Sequence, residues 1–379
     1  MSIETKVFNK IEEISPQEWN SVFPDSLEGY YFFKSLDESG FTQFQFRYIL
    51  VYDNKSLIGT APCFLMDFPM DAAVQGVGRE VVNFIKKFLP SVFNIRALLC
   101  GLPMDRGRLG FLNKDAQKDV IEGISRAMFS IAKEEDARVV AFKDFDSAYL
   151  HLLDPLLNKG FFKMESLPST VMEINFSSFQ EHLLGLSAVS RYDLRRKFRK
   201  VDRSGLKIKM QVTPRLDNEE LAQVYELYLQ TVNRQDMGFE IAPMEFFRVI
   251  SENMPTQAKY FLWRINNKLV GFALCLSSQD YFIDLYLGFD YSVAYQYHLY
   301  FIKIRDLMNW CAENNFKTYE MGMTNYEPKK RLDFKFIPLY TYVRHRNRLA
   351  NPFLKILGGF FSPLNFDPTL KKMKQEGKL

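Results

Sequence analysis

The sequence predicts an α/β protein of two tandem domains, each a mixed, largely antiparallel sheet flanked by helices. Three observations predict it. The length, 379 residues, exceeds the ~100–200 of one ordinary domain. The composition, 47% hydrophobic and 25% charged with only 19 Gly and 16 Pro, is that of a folded chain with cores to fill. The third is an internal repeat: Arg47–Cys63 (RYILVYDNKSLIGTAPC) aligns without gaps on Lys259–Cys275 (KYFLWRINNKLVGFALC). Tyr48/Tyr260, Leu50/Leu262, Asn54/Asn266, Leu57/Leu269, Gly59/Gly271, Ala61/Ala273 and Cys63/Cys275 are identical. Each copy reads as a strand, an Asn-containing turn and a second strand. A weaker echo, Ile131–Val139 against Trp310–Thr318, repeats a helix end and the strand after it. Its smaller offset implies extra residues between hairpin and helix in the first copy.

Taken in order, the first copy offers a strand at Lys6–Ile11, helices at Pro16–Phe23 and Tyr31–Ser39, and the hairpin. An insertion near 67–110, a helix at Asp119–Glu134 and a strand at Val139–Lys143 follow. Residues 1–170 make the first domain and 171–349 the second, with Pro168–Phe179 where they meet. In the second copy Leu206–Val212 alternates as a strand, and Asn218–Thr231 carries Leu221, Val224, Tyr225 and Tyr228 at helical spacing. Pro243–Met254 is a helix, then comes the hairpin, then a strand at Tyr281–Leu287. Tyr297–Cys311 follows, with Tyr297, Tyr300, Phe301, Ile304, Met308 and Cys311 along one helical stripe, and Thr318–Met323 closes the set as a strand. Residues 350–379 alternate Phe/Leu clusters with lysines. They read as an apolar strap on the first domain or as a membrane-surface or partner-docking tail.

The net charge, 49 Lys and Arg against 45 Asp and Glu, is too near zero for the whole surface to capture nucleic acid, so any anion site must be local. Cys63, Cys100, Cys275 and Cys311 are widely spaced with no CxxC pair, which fits a reducing cytoplasm. No uncharged run is long enough to span a bilayer, which leaves peripheral contact as the membrane option. His151, His182, His298 and His345 have no metal-ligand spacing, so no metal site is expected. Gly-x-Ser-x-Gly, Walker A and HExxH motifs are missing, which weakens hydrolase, NTPase and metalloprotease readings.

The local anion site has one clear candidate. Between Arg191 and Lys209 nine Lys/Arg stand against Asp193 and Asp202. Leu194, Phe198 and Val201 make this stretch an amphipathic helix, with Arg191, Arg195 and Arg199 on one exposed line and Arg196, Lys200 and Arg203 on another. Rows of cations suit a polyphosphate, RNA or anionic headgroups; a solvated basic face is the alternative. Asp284, in the middle of the strand YFIDLYLGF, is costly to bury unless paired or working, which makes it a candidate base or amine-orienting group. Glu320 ends the next strand and is a candidate to share that role.

The element order, together with Cys100-Gly-Leu-Pro103, Phe142-Lys-Asp-Phe145, Phe179–Arg203 and Glu320-Met-Gly-Met-Thr-Asn-Tyr-Glu-Pro-Lys329 followed by Arg331-Leu332, resembles the GNAT acyltransferase fold. Two copies in tandem resemble its FemAB-like branch, whose first copy is usually degenerate; the resemblance covers roughly residues 5–348. It implies transfer of an acyl or aminoacyl group from a thioester or ester carrier to an amine, with no metal. No cofactor is then held permanently: acyl-CoA or an acyl-carrier thioester is the co-substrate, bound by Arg191, Arg195, Arg196, Arg199, Lys200 and Gly288. Tyr326 and Lys329 match the family's Tyr/Lys pattern, as acid for the leaving group and stabiliser of the oxyanion. Where such folds carry a glycine-rich loop for the CoA pyrophosphate, this chain reads Gly288-Phe-Asp-Tyr-Ser-Val-Ala-Tyr295, with one glycine. Gln75-Gly-Val-Gly78 looks closer but has no strand directly before it. FemX-type aminoacyl transfer from tRNA is the alternative reaction, and would need more basic surface than one helix. A non-catalytic module binding anionic lipid or a carrier protein is the alternative class.

Overall fold

The computed structural model describes residues 3–23, 27–69, 94–234, 240–360 and 367–377. The chain divides into two compact units: Met1–Pro24, Phe41–Pro168 and Pro338–Leu379 form one, and Asp25–Gly40 with Ser169–Ile337 the other. Gln75–Gly78 and most of the insertion near 67–110 lie outside the described residues.

The first unit's sheet is built from β1 (Ile3–Phe8), β2 (Gln45–Asp53), β3 (Ser56–Pro69), β4 (Asn94–Cys100), β5 (Gly110–Phe111), β6 (Val139–Asp146), β7 (Phe162–Glu165) and β15 (Leu339–His345). Their order is β1-β2-β3-β4-β6-β15-β7, with β5 paired to β3. The second unit's sheet runs β9 (Ile208–Thr213), β10 (Ala258–Ile265), β11 (Lys268–Ser278), β12 (Tyr281–Phe289), β13 (Thr318–Gly322), β8 (Ser169–Glu173) and β14 (Lys335–Ile337). In each sheet one central pair is parallel, β4 with β6 and β12 with β13, and the other pairs are antiparallel.

The repeat is structural down to its irregularities. Both hairpins turn through two residues of positive φ, Asn54-Lys55 and Asn266-Asn267, the type I′ geometry whose twist matches the flanking strands. Both slip register at the aligned step, between Val51 and Tyr52 and between Trp263 and Arg264. Behind the first sheet, helix Gln117–Glu134 buries Val120, Ile124, Met128 and Ile131 at helical spacing. A Cβ on Gly59 would lie 2.5 Å from the Val120 side chain, so the glycine lets helix and hairpin meet. In the second unit helix Leu299–Glu313 does the same work with Ile302, Ile304, Leu307, Met308 and Cys311.

The units depart from the 1–170 and 171–349 division. β8 lies inside the second sheet, between β13 and β14, and β15 lies inside the first, between β6 and β7. Each copy therefore lends its counterpart one strand, and the chain crosses near residues 166–168 and at 338 because β7–β8 and β14–β15 are split between sheets. The helix expected at Tyr31–Ser39 forms at Tyr30–Glu38, but belongs to the second unit. It packs on helix Met244–Asn253, where Asn253 Nδ2 donates to Glu38 Oε2 at 2.7 Å. The tail contributes helices Asn351–Phe360 and Pro368–Gln375 to the first unit: Leu370 and Met373 are buried, and Phe353 and Ile356 are exposed. Among the described residues no helix is long and apolar enough to cross a membrane.

Candidate active site

In the second sheet β12 and β13 run side by side only from Tyr281↔Thr318 to Ile283↔Glu320. Beyond that step they part: β12 stays with β11 and β13 stays with β8. Asp284 is the first residue of β12 past the fork, and Glu320 the last residue of β13 that pairs with β12. A register slip between Leu274 and Cys275 on β11 falls opposite Asp284, so the strand is irregular just where the carboxylate sits.

Asp284 is buried and paired with Lys303, whose side chain is fully buried on helix Leu299–Glu313. The ammonium donates to Asp284 Oδ2, and the Tyr319 hydroxyl donates to the same oxygen at 3.2 Å. The other carboxylate oxygen, Oδ1, is buried with no hydrogen-bond partner among the described residues. Lys303 Nζ also lies 5.3 Å from the Tyr300 ring centre. Burial, then the Asp284 charge, push the Tyr300 and Tyr319 phenols up, which keeps both protonated. On the next strand the Ser169 hydroxyl of β8 donates to Glu320, which is fully buried.

After β13 the chain bends sharply into helix Tyr326–Arg331 through Gly322, Thr324 and Asn325, all at positive φ. Lys329 holds this bend by donating to the carbonyls of Met321 and Gly322 at 3.0 Å and of Met323 at 3.3 Å. Three N–H donors thus meet three carbonyls, which differs from the expected oxyanion donor: Lys329 acts first on the loop. Burial, then Lys303, pull it down to about 7, against the Asp284 and Glu320 carboxylates. Tyr326 is buried, its ring 5.6 Å from Phe336.

The expected donor-binding residues separate into two sets. Arg191 turns inward and caps the preceding helix, donating to the carbonyls of Leu184 at 2.8 Å and Leu186 at 2.6 Å. Gly288 is not in a phosphate loop: it lies in β12, where a Cβ would come within 2.5 Å of the Leu227 backbone and the Phe272 ring, so close packing requires the glycine. Arg195, Arg196, Arg199 and Lys200 are exposed along helix Ala188–Arg203 as expected. Asp193 beneath them binds Arg196 at 2.8 Å, Arg331 at 2.7 Å and Lys197; burial pushes its carboxyl up, and these cations together outweigh it and hold the group below the usual range. Burial and then Lys200 and Lys197 pull His298 down, which brings the basic helix up to the residue opening helix Leu299–Glu313.

Lys303, Tyr319, Tyr300 and Ser169 were not picked out by sequence reasoning. A signal for Lys303 existed, since it lies between Tyr300 and Leu307 on the stripe that faces the core. The repeat shows what the cluster means. The hairpin alignment sets Cys63 on Cys275, and the partners of these two across the sheet are Cys100 and Asp284. The helix alignment sets Ile131 on Trp310, which puts Ile124 at the place of Lys303, Val140 at Tyr319 and Ala141 at Glu320. Pairing agrees, because Leu99↔Ala141 matches Ile283↔Glu320. Cys100, Ile124, Val140 and Ala141 are all buried in the first unit, so the same positions are apolar there and ionic in the second. Among the described residues no three of His, Cys, Asp and Glu gather where a metal could be held.

A family profile described as an acetyltransferase (GNAT) domain matches residues 188–335. No curated protein matches the chain by sequence. Among solved structures, FemX is similar with 15% identity and a TM-score of 0.56, over 93% of this chain and 100% of that one. A tandem GNAT protein from the clavulanic acid biosynthesis pathway is similar with 9% identity and a TM-score of 0.53, over 91% and 99%. L-PGS from Bacillus licheniformis is similar with 12% identity and a TM-score of 0.51, over 87% and 95%. The chain thus has a tandem GNAT fold, and the residues that match the GNAT domain profile lie in its second unit.

Proposed function

We propose that the second unit transfers an acyl group from a thioester donor to an amine acceptor. The observation that carries this reading is the buried Asp284–Lys303–Tyr319 cluster at the fork, set in a framework whose other copy fills the same positions with Cys100, Ile124 and Val140. A buried ion pair stabilises no better than apolar residues of similar volume, so the fold itself does not need these charges. Their presence in one copy and not the other points to chemistry.

Aminolysis of a thioester forms an N–C bond, breaks a C–S bond and moves a proton from nitrogen to sulfur. Asp284 Oδ1, buried with no donor among the described residues, accepts the N–H of the incoming amine and takes its proton as the bond forms. Lys303 and Tyr319 hold the other oxygen and so fix the carboxylate's direction. Tyr326 is the acid that returns a proton to the departing thiolate. The positive charge of Lys303, with Lys329 behind it, offsets the negative charge that develops on the tetrahedral oxygen. The basic helix takes the donor's phosphate.

The test is release of free thiol from acyl-CoA and acyl-pantetheine donors in the presence of a panel of primary amines. The expected result is amine-dependent thiol release that falls by ~10² in Asp284→Asn, the magnitude of a lost general base. Equal turnover in that variant sinks the role of Asp284. Transfer from charged tRNA alone replaces the thioester by an aminoacyl ester.

A further inference from the structure

We infer that the donor is delivered on an acidic carrier protein, and that the outer face of helix Ala188–Arg203 is where that carrier docks. The inference rests on the acyl-transfer reading and concerns the form in which its donor arrives.

The first observation is that the loop opening helix Leu299–Glu313 has little to offer a pyrophosphate. A phosphate cradle needs several successive backbone N–H groups left free. Here Asp290 occupies three of them: its Oδ1 accepts from Ser292 N at 3.0 Å, and its carbonyl accepts from Val293 N at 3.1 Å and Ala294 N at 2.9 Å. Tyr291 N donates to Gln230 Oε1, Tyr297 N to the Val293 carbonyl and Leu299 N to the Ala294 carbonyl. Asp290 also places a carboxylate where an anion would have to sit, although Lys268 binds it at 2.7 Å.

The second observation is the surface beside it. Val189, Tyr192, Arg196, Arg199 and Arg203 follow one another in steps of three and four, a continuous stripe about 21 Å long. It begins apolar, with Val189 79% and Tyr192 66% exposed and Leu184 of the preceding helix 64% exposed, and it continues cationic. Arg195 and Lys200 flank it, and the carboxylate beneath, Asp193, is already shared among three cations.

A free nucleotide donor has no use for exposed Leu, Val and Tyr, and its few phosphates do not need a stripe of this length. An RNA backbone matches the arginines and a base can stack on Tyr192, but RNA brings no aliphatic surface to cover Leu184 and Val189. An acidic helix of a carrier protein matches both: its carboxylates pair with the arginines, and its apolar end covers Leu184, Val189 and Tyr192. A phosphopantetheine arm carries one phosphate, which suits a site without a pyrophosphate loop.

The experiment titrates the full-length protein with an acyl carrier protein in its holo form, with free CoA, with bulk tRNA and with phosphatidylglycerol vesicles, each at low and at physiological salt. The proteins used are wild type, Arg195→Glu/Arg199→Glu/Arg203→Glu and Val189→Asp/Tyr192→Ala. These side chains are exposed, and a circular dichroism melt of each variant checks its fold. The carrier should bind more tightly than CoA, and either variant should weaken it at least tenfold. The ratio of kcat/KM for carrier-borne over free acyl-pantetheine should fall by a similar factor. Carrier affinity no better than that of CoA, or unmoved by both variants, overturns the inference. So does tRNA or vesicle binding that takes the carrier's place and is lost in the same variants. Absence of turnover from any thioester condemns the acyl-transfer reading itself, and the binding titration still decides the docking surface.

Discussion

Removing one member of the Asp284–Lys303 pair should cost more than removing both. Lys303→Met leaves a carboxylate buried without its cation, which costs ~3–5 kcal/mol. Asp284→Cys/Lys303→Ile/Tyr319→Phe, which puts the first unit's residues in place of the pair and leaves no buried hydroxyl without its acceptor, should unfold in urea within ~1 kcal/mol of wild type and transfer no acyl group. A triple variant as unstable as Lys303→Met would mean that the pair serves the fold. Lys329 supplies the pH dependence. Its ordinary value is 10.5 and the folded protein brings it to about 7. Between these the unfolded chain holds the extra proton, so stability rises with pH; below about 7 both states are protonated and the cost of burying the ammonium stands in full. The urea midpoint should climb from pH 7 to pH 10, and Lys329→Met should flatten that climb. At this scale the sequence was partly legible. A carboxylate in the middle of an apolar strand marked Asp284, whereas Lys303 and Tyr319 looked like one polar residue on an amphipathic helix and one aromatic on a strand. Only the fold shows that they share an oxygen.

The hairpins were the most legible elements, because an Asn turn of positive φ and alternating strands are local signals that need no partner to be read. Helices Asn218–Val232 and Leu299–Glu313 followed from spacing in the same way. Gly288 shows the limit: a glycine at the end of a strand and before a helix reads as a ligand loop, yet it is required by the backbone of helix Asn218–Val232 lying against it. Gly288→Ala would place a methyl 2.5 Å from the Leu227 carbonyl carbon. Since backbone cannot step aside as a side chain can, the change should lower stability by about 3 kcal/mol, read as a shifted urea midpoint with unchanged slope. A neutral result would mean that the helix can slide. The basic helix divides similarly: its charge was plain in the sequence, but the inward turn of Arg191 to cap its neighbour depends on where helix Phe179–Gly185 ends.

On the scale of the whole molecule, two copies of one α/β plan were legible from the repeat, and the strand exchange was not. Ser169–Glu173 and Leu339–His345 are not among the strands expected from the sequence, and nothing local tells which sheet a strand joins. The exchange makes a direct prediction: a fragment of residues 1–168 lacks β15, so β6 and β7 have nothing between them. By circular dichroism it should show no cooperative melt, while adding a peptide of residues 338–360 should restore one. A cooperative melt of the bare fragment would show that β15 is dispensable. Making the protein on a ribosome is constrained by the same arrangement. The first sheet cannot close until residue 345 has left the exit tunnel, after nearly all of these residues have been joined. The amino-terminal half must therefore wait with an open sheet edge throughout synthesis, and the two halves reach their native states almost together.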